Sequence, residues 1–130
     1  MKQGEFFEKE FCVDGKILEM FINLSKDKNP IHTNDEFANK YGFEKKIIHG
    51  NIQNVFLSYF VGEMLPIKNI VIISQKISFL KPLYQNEKIR LFSEIKNISK
   101  SVSVVEFKFK FINSKHEVIS NGDLIIKVLS

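Results

Sequence analysis

Cysteine occurs once, at Cys12, so the chain cannot close a disulfide on itself, which fits a reducing compartment. Set in an apolar strand, that thiol is expected to act as a small inert hydrophobe. Arginine also occurs once, at Arg90, although 19 basic against 15 acidic residues leave a net charge of +4. The positive charge is therefore lysine, scattered along the chain. With the commonest base-reading side chain almost absent, sequence-specific nucleic-acid binding is disfavoured. Most of the lysines suit a solvated surface, and a minority role is electrostatic help in holding a phosphorylated carrier or an acidic carrier protein. No apolar run approaches the roughly 18 residues of a membrane span; the stretch Ile70-Val71-Ile72-Ile73 has four. The N-terminus has no signal-peptide apolar region, so a soluble cytoplasmic protein is expected. Internal repeats, low-complexity tracts and linkers are missing too. What is present is 130 residues, 44% apolar and 26% charged, which suits one folded domain over residues 1–130 with a core of its own.

Glu5 to Val13 sets Phe6, Phe7, Phe11 and Val13 among charges and reads as a short strand. Asp14 can cap a helix over Gly15 to Leu24, where Ile17, Leu18, Phe21, Ile22 and Leu24 recur at helical spacing. Ser25 to Thr33 is polar, contains Pro30 and reads as a loop. Asn34 is the expected N-cap of a short helix holding Phe37, Ala38 and Tyr41, and Gly42 stands where a left-handed C-cap residue belongs. Gly50 to Met64 is the most apolar helical segment and wants burial on most sides. After Pro66 come four strands, Ile70 to Leu80, Lys88 to Ile98, Val102 to Ile112 and Val118 to Leu129, with turns at Gln85-Asn86, Ser99-Lys100 and Ser114-Lys115. Phe107, Phe109 and Phe111 alternate with Lys108 and Lys110, which marks a sheet with one buried face. The four strands are expected to pair consecutively as an antiparallel meander. One wet sheet face and one greasy helix imply an α+β fold, a curved antiparallel sheet wrapped around that helix, which is the hot-dog architecture in outline.

Chemistry concentrates in Leu24-Ser25-Lys26-Asp27-Lys28-Asn29-Pro30-Ile31-His32. A carboxylate and an imidazole five residues apart, with Pro30 stiffening the path, can serve one cleft as base and acid. Asp27 capping a neighbouring amide is the plainer alternative. A second cluster, Ile47-Ile48-His49-Gly50, opens the long helix. There a glycine lets a substrate oxygen approach an unsatisfied N–H, and one such oxyanion donor contributes about 3 kcal/mol in a transition state. The alternatives are that Gly50 only permits tight packing and that His49 is a hydrogen-bonded structural histidine. No metal site is expected, because His32, His49 and His116 lack a dense carboxylate or cysteine context, and His116 reads as a turn residue.

Leu24, Ser25, Asp27, Asn29-Pro30-Ile31-His32, Ala38, Phe43 and His49-Gly50, in that order and spacing, resemble the MaoC-like, (R)-specific enoyl-CoA hydratase family of hot-dog proteins. Ser78-Phe79 followed by Pro82 and Asn86-Glu87 extends the resemblance, which spans about Asp14 to Leu91. It implies that Asp27 activates a water that adds to the β-carbon of a trans-2-enoyl thioester, that His32 exchanges a proton at the α-carbon, and that the Gly50 amide binds the thioester carbonyl. It also implies a homodimer, with no cofactor beyond the CoA or acyl-carrier pantetheine that belongs to the substrate. Asn29, Asn51 and Asn54 are the further candidate substrate contacts. The chain departs from the family at Asn51-Ile52-Gln53-Asn54-Val55, where apolar residues and a small hydroxyl residue are usual. Amides there must face solvent, bond across a dimer interface or line a polar pocket. Two other functions compete: a non-catalytic acyl-thioester-binding module, and a hot-dog thioesterase. The latter class usually needs an acidic residue on the central helix, and Gly50 to Gly62 has none.

Overall fold

Period-two alternation along the C-terminal half decides the architecture. In the computed structural model, which describes all residues from Met1 to Ser130, strand β4 (Val104–Asn113) buries Val105, Phe107, Phe109 and Phe111 while Lys108 and Lys110 face solvent. Its neighbours β3 (Lys88–Ser99) and β5 (Val118–Val128) bury Ile89, Leu91 and Ile95, and Ile119, Leu124 and Ile126, on the same face. With β1 (Phe6–Cys12) and β2 (Ile70–Phe79) they form one five-stranded antiparallel sheet in the order β1-β3-β4-β5-β2.

That order corrects the expected four-strand meander. Only β3-β4-β5 pair consecutively; β2 lies at the far edge against β5, and β1 occupies the other side of β3. Tight hairpins need two to five loop residues. The connection between Phe79 and Lys88 is longer, contains Pro82, and is pinned by the Ile48 N–H to the Leu83 carbonyl, with Leu83 buried. It therefore crosses the end of the sheet instead of reversing on itself.

Helix α1 (Gly15–Ser25) begins as its sequence implies, with Asp14 accepting from the Ile17 N–H. The segment expected to be a loop contains a short helix, α2 (Pro30–Thr33), because Pro30 is pre-set for a first helical position and Asn29 caps it. Asn34 caps α3 (Asp35–Lys40), and Gly42 takes a left-handed φ of 92°.

The long apolar helix is shorter at its start and irregular at its end. Gly50 and Asn51 lie in a turn whose bonds run Ile52 to His49, Gln53 to Gly50 and Asn54 to Asn51; α4 (Ile52–Tyr59) follows, then a π-helical turn over Phe60–Met64. Ile52, Phe56, Leu57 and Phe60 point into the sheet and join a 20-residue apolar core. Phe11 stacks on Phe56 at 4.3 Å and Phe60 meets Phe107 edge-on at 5.5 Å. Each such buried side chain contributes roughly 1.5–3 kcal/mol of transfer free energy, so α4 is held by packing, not by propensity. The wrapped sheet needs Gly122: a Cβ there would stand 1.8 Å from the Lys76 carbonyl oxygen of β2.

Candidate active site

The end of α1 aims the carboxylate. Lys26 adopts a left-handed φ of 63° and closes the helix by donating its N–H to Ile22, so the chain doubles back at Asp27. Ser25 Oγ accepts from the Asp27 N–H at 3.1 Å, and Asp27 Oδ1 accepts from the Asn29 N–H at 3.1 Å. These bonds leave Oδ2 as the free carboxylate oxygen. It lies 4.0 Å from His32 Nε2 and 3.8 Å from His49 Nε2.

Backbone carbonyls assign the protons on both rings. His32 Nδ1 contacts the Ile47 carbonyl at 2.8 Å, and a carbonyl only accepts, so Nδ1 carries a hydrogen and Nε2 is the nitrogen turned to Asp27. His49 Nε2 contacts the Asp27 carbonyl at 2.9 Å, so there Nε2 carries the hydrogen and Nδ1 is left buried with no partner. The two imidazoles stack at 3.9 Å, and Phe21 covers His49 at 4.9 Å. His49 thus ties the Asp27 loop to the start of α4 and supports His32 from behind. Its role as a hydrogen-bonded histidine was one of the sequence alternatives, but its contact with Asp27 was not legible there; the only signal was its place before Gly50.

Asp27, His32 and His49 bring their ligand-type atoms within 4.8 Å, a cluster that their spacing in the sequence hides. It is a poor metal centre as built. The His49 nitrogen facing it is committed as a donor to Asp27, which leaves two lone-pair ligands where a zinc site takes at least three. The arrangement suits proton transfer instead.

A cleft of about 360 Å³ opens beside His32, walled by Gly50, Asn51 and Gln53 on one side and by Phe79, Lys81 and Leu83 on another. Asp27, about half exposed, does not line the cleft itself and reaches it through His32, 4.0 Å from its Oδ2. The Gly50 N–H makes no hydrogen bond within the chain, and a Cβ on Gly50 would meet the Phe79 ring at 2.9 Å. Gly50 therefore lines the cleft with an uncommitted backbone N–H, and a side chain there would have to displace the Phe79 ring.

Of the other sequence candidates, only Asn51 lines the cleft. Asn29 caps α2 with its side-chain oxygen, and Asn54 lies outside the wall, donating to Asn51 and accepting from Gln75. Gln53, not counted among the candidate contacts, is 2% exposed, lines the cleft and accepts from Ser120. At the rim, Lys81 grips Glu117 at 2.6 Å; that bond, then the one from Asn113, holds the Glu117 carboxyl below its usual 4.5.

Comparisons with known proteins place this geometry in context. An (R)-specific enoyl-CoA hydratase of Aeromonas caviae is 24% identical over 108 residues, 83% of this chain and 81% of the relative. The mitochondrial 3-hydroxyacyl-[acyl-carrier-protein] dehydratase of Arabidopsis thaliana is 25% identical over 86% of this chain and 63% of its own length. The solved (R)-hydratase from A. caviae involved in PHA biosynthesis superposes with a TM-score of 0.91 at 21% identity, over 99% of this chain and 98% of that one, which establishes the hot-dog fold. The model of the MaoC like domain matches residues 3–113, taking in the Asp27 loop, the His49-Gly50 turn, α4 and most of the sheet. With that match over most of its length, this chain belongs to the MaoC-like domain family.

Proposed function

We propose that this protein adds water to a trans-2-enoyl thioester, or in reverse dehydrates a 3-hydroxyacyl thioester, with Asp27 and His32 as its acid–base pair. The observation that carries this is the 4.0 Å gap between Asp27 Oδ2 and His32 Nε2 beside a cleft with an uncommitted Gly50 N–H. In hydration, Asp27 as carboxylate takes a proton from water while the water oxygen bonds to the β-carbon. The π electrons move toward the thioester carbonyl, whose oxygen gains enolate charge and accepts from Gly50. His32, protonated at Nε2, then delivers that proton to the α-carbon. The products are the 3-hydroxyacyl thioester, neutral imidazole and protonated Asp27, and transfer of one proton from Asp27 to His32 restores the start. Dehydration runs the same steps backward.

The names of the curated relatives, a hydratase and a dehydratase, support this chemistry, and the absence of any acidic residue between Gly50 and Gly62 disfavours the thioesterase alternative. The acyl group rides on CoA or acyl-carrier pantetheine, and no separate cofactor is required. We also propose a homodimer. Strand β2 is a free sheet edge with Val71, Ile72 and Ile73 exposed, and Ile17, Met20, Phe21, Leu24, Ile52, Val55 and Phe56 line an open, wholly apolar groove between α1 and α4. No helix is long and apolar enough to cross a membrane, and the cytoplasm is the proposed location.

The deciding experiment follows loss of the conjugated enoyl-thioester absorbance with crotonyl-CoA, with chiral analysis of the product. Turnover to the (R)-3-hydroxy product supports the proposal. A folded protein that turns over no enoyl thioester refutes it in favour of a binding module.

A further inference from the structure

We infer that Gln53 is a specificity element that takes an oxygen atom of the acyl group, making the cleft a site for a short acyl chain bearing a hydroxyl or carbonyl rather than an alkyl chain; this deepens the function proposed above. Gln53 projects from the first turn of α4 between the helix and β5, and almost all of it is shut off from water. Its Oε1 accepts from the Ser120 hydroxyl. Ser120 is fully buried on β5 and fixes the amide plane. Both N–H groups of Gln53 Nε2 are then without a partner in the protein, in a residue that walls the same cleft as His32 and Gly50.

The other amides differ in kind. Asn51 is exposed, so water satisfies it, and Asn54 is held by Asn51 and Gln75. Only Gln53 would be stranded by an alkyl group. A cleft that buries an amide donor favours a ligand with a matching acceptor and penalises its hydrocarbon analogue, by about 10- to 100-fold for one neutral bond. The acceptor should be neutral. Lys81, the one lysine in the wall, is engaged by Glu117, so no uncompensated cation faces a carboxylate.

The test measures binding of three unreactive saturated thioesters, butyryl-CoA, 4-hydroxybutyryl-CoA and succinyl-CoA, by calorimetry. The wild-type protein is compared with Gln53→Met and with Gln53→Met combined with Ser120→Ala, which removes the hydroxyl that the single change orphans. The expected result is a 10- to 100-fold preference for 4-hydroxybutyryl-CoA over butyryl-CoA that both variants abolish. Equal or tighter binding of butyryl-CoA by the wild type, or a preference that survives Gln53→Met in a folded protein, overturns the inference. Tightest binding of succinyl-CoA overturns its neutral-acceptor part. Turnover of crotonyl-CoA and its 4-hydroxy counterpart is measured in parallel. Absent turnover with the binding preference intact leaves the subsite standing and sinks the hydratase proposal; turnover with no preference does the reverse. Failure of all three thioesters to bind overturns the inference, and the hydratase proposal then stands or falls on the turnover alone.

Discussion

Replacing Asp27 with asparagine isolates the proton-transfer role, because almost everything else about the residue is retained. Asparagine keeps an Oδ1 to accept from the Asn29 N–H, and the Ser25 hydroxyl still receives the residue-27 N–H. The backbone carbonyl that holds His49 is untouched. What changes is the atom at Oδ2, from an acceptor able to take a proton from water into an NH₂ group aimed at the histidines. The Asp27 side chain is 47% exposed, and an ion pair that solvated contributes at most about 1 kcal/mol. The melting temperature should therefore stay within a few degrees of wild type. Turnover should fall by roughly 100- to 10,000-fold, the usual contribution of one positioned acid or base, equivalent to about 3–5 kcal/mol of barrier. Initial rates with crotonyl-CoA beside a thermal melt measure both quantities. His32→Ala should lose a comparable factor, and because the two groups pass one proton between them, the double variant should fall far short of the product of the losses. Near-native turnover of Asp27→Asn, or losses that simply multiply, would refute the paired mechanism.

Three further outcomes follow from the geometry. Gly50→Ala keeps the backbone N–H but places a methyl 2.9 Å from the Phe79 ring, a wall of the cleft, which must shift; kcat/KM should drop by about 10-fold or more through the reshaped cleft, with little change in melting temperature, and an unchanged rate would show that the Gly50–Phe79 contact does not shape the site. Gly122→Ala drives a Cβ into the Lys76 carbonyl oxygen and should cost roughly 3 kcal/mol or more by denaturant unfolding through forced separation of β2 from β5, so a wild-type midpoint would contradict the strand register. Glu117 is held below its usual 4.5, so its stabilising effect is present above that pH and disappears as pH falls through the lowered value. Glu117→Gln should accordingly melt lower than wild type at neutral pH and converge with it in acid; a gap that persists when the carboxyl is protonated would rule out the Lys81 pairing as the cause.

How much of the molecule was legible differs between elements for physical reasons. Strands such as β4 were plain because alternating Phe and Lys leave one register that buries the aromatics. Caps at Asp14 and Asn34 were plain because their side chains bond amides three residues on, a local event. The place of β2 was not, since its alternation is satisfied against any strand, and only the long pinned connection past Pro82 sends it to β5. The helix over Pro30–Thr33 is hidden in a polar stretch because proline breaks a helix interior, whereas directly after the Asn29 cap it starts one.

Fold class is written in patterns a few residues long whose energies are local or face-to-face, and the motif that carries the family resemblance marks out Asp27, His32 and Gly50. Which atoms meet is set by long-range packing. Asp27 to His49 spans 22 residues and Gln53 to Ser120 spans 67, and contacts at such separations depend on how the helix seats in the sheet, not on spacing along the chain. That seating leaves Asn54 occupied by Gln75 and turns Gln53 into the cleft. Amide side chains one to three positions apart at a helix start have nearly equal chemistry as letters. Burial separates them, because an amide costs nothing in water and demands a partner out of it.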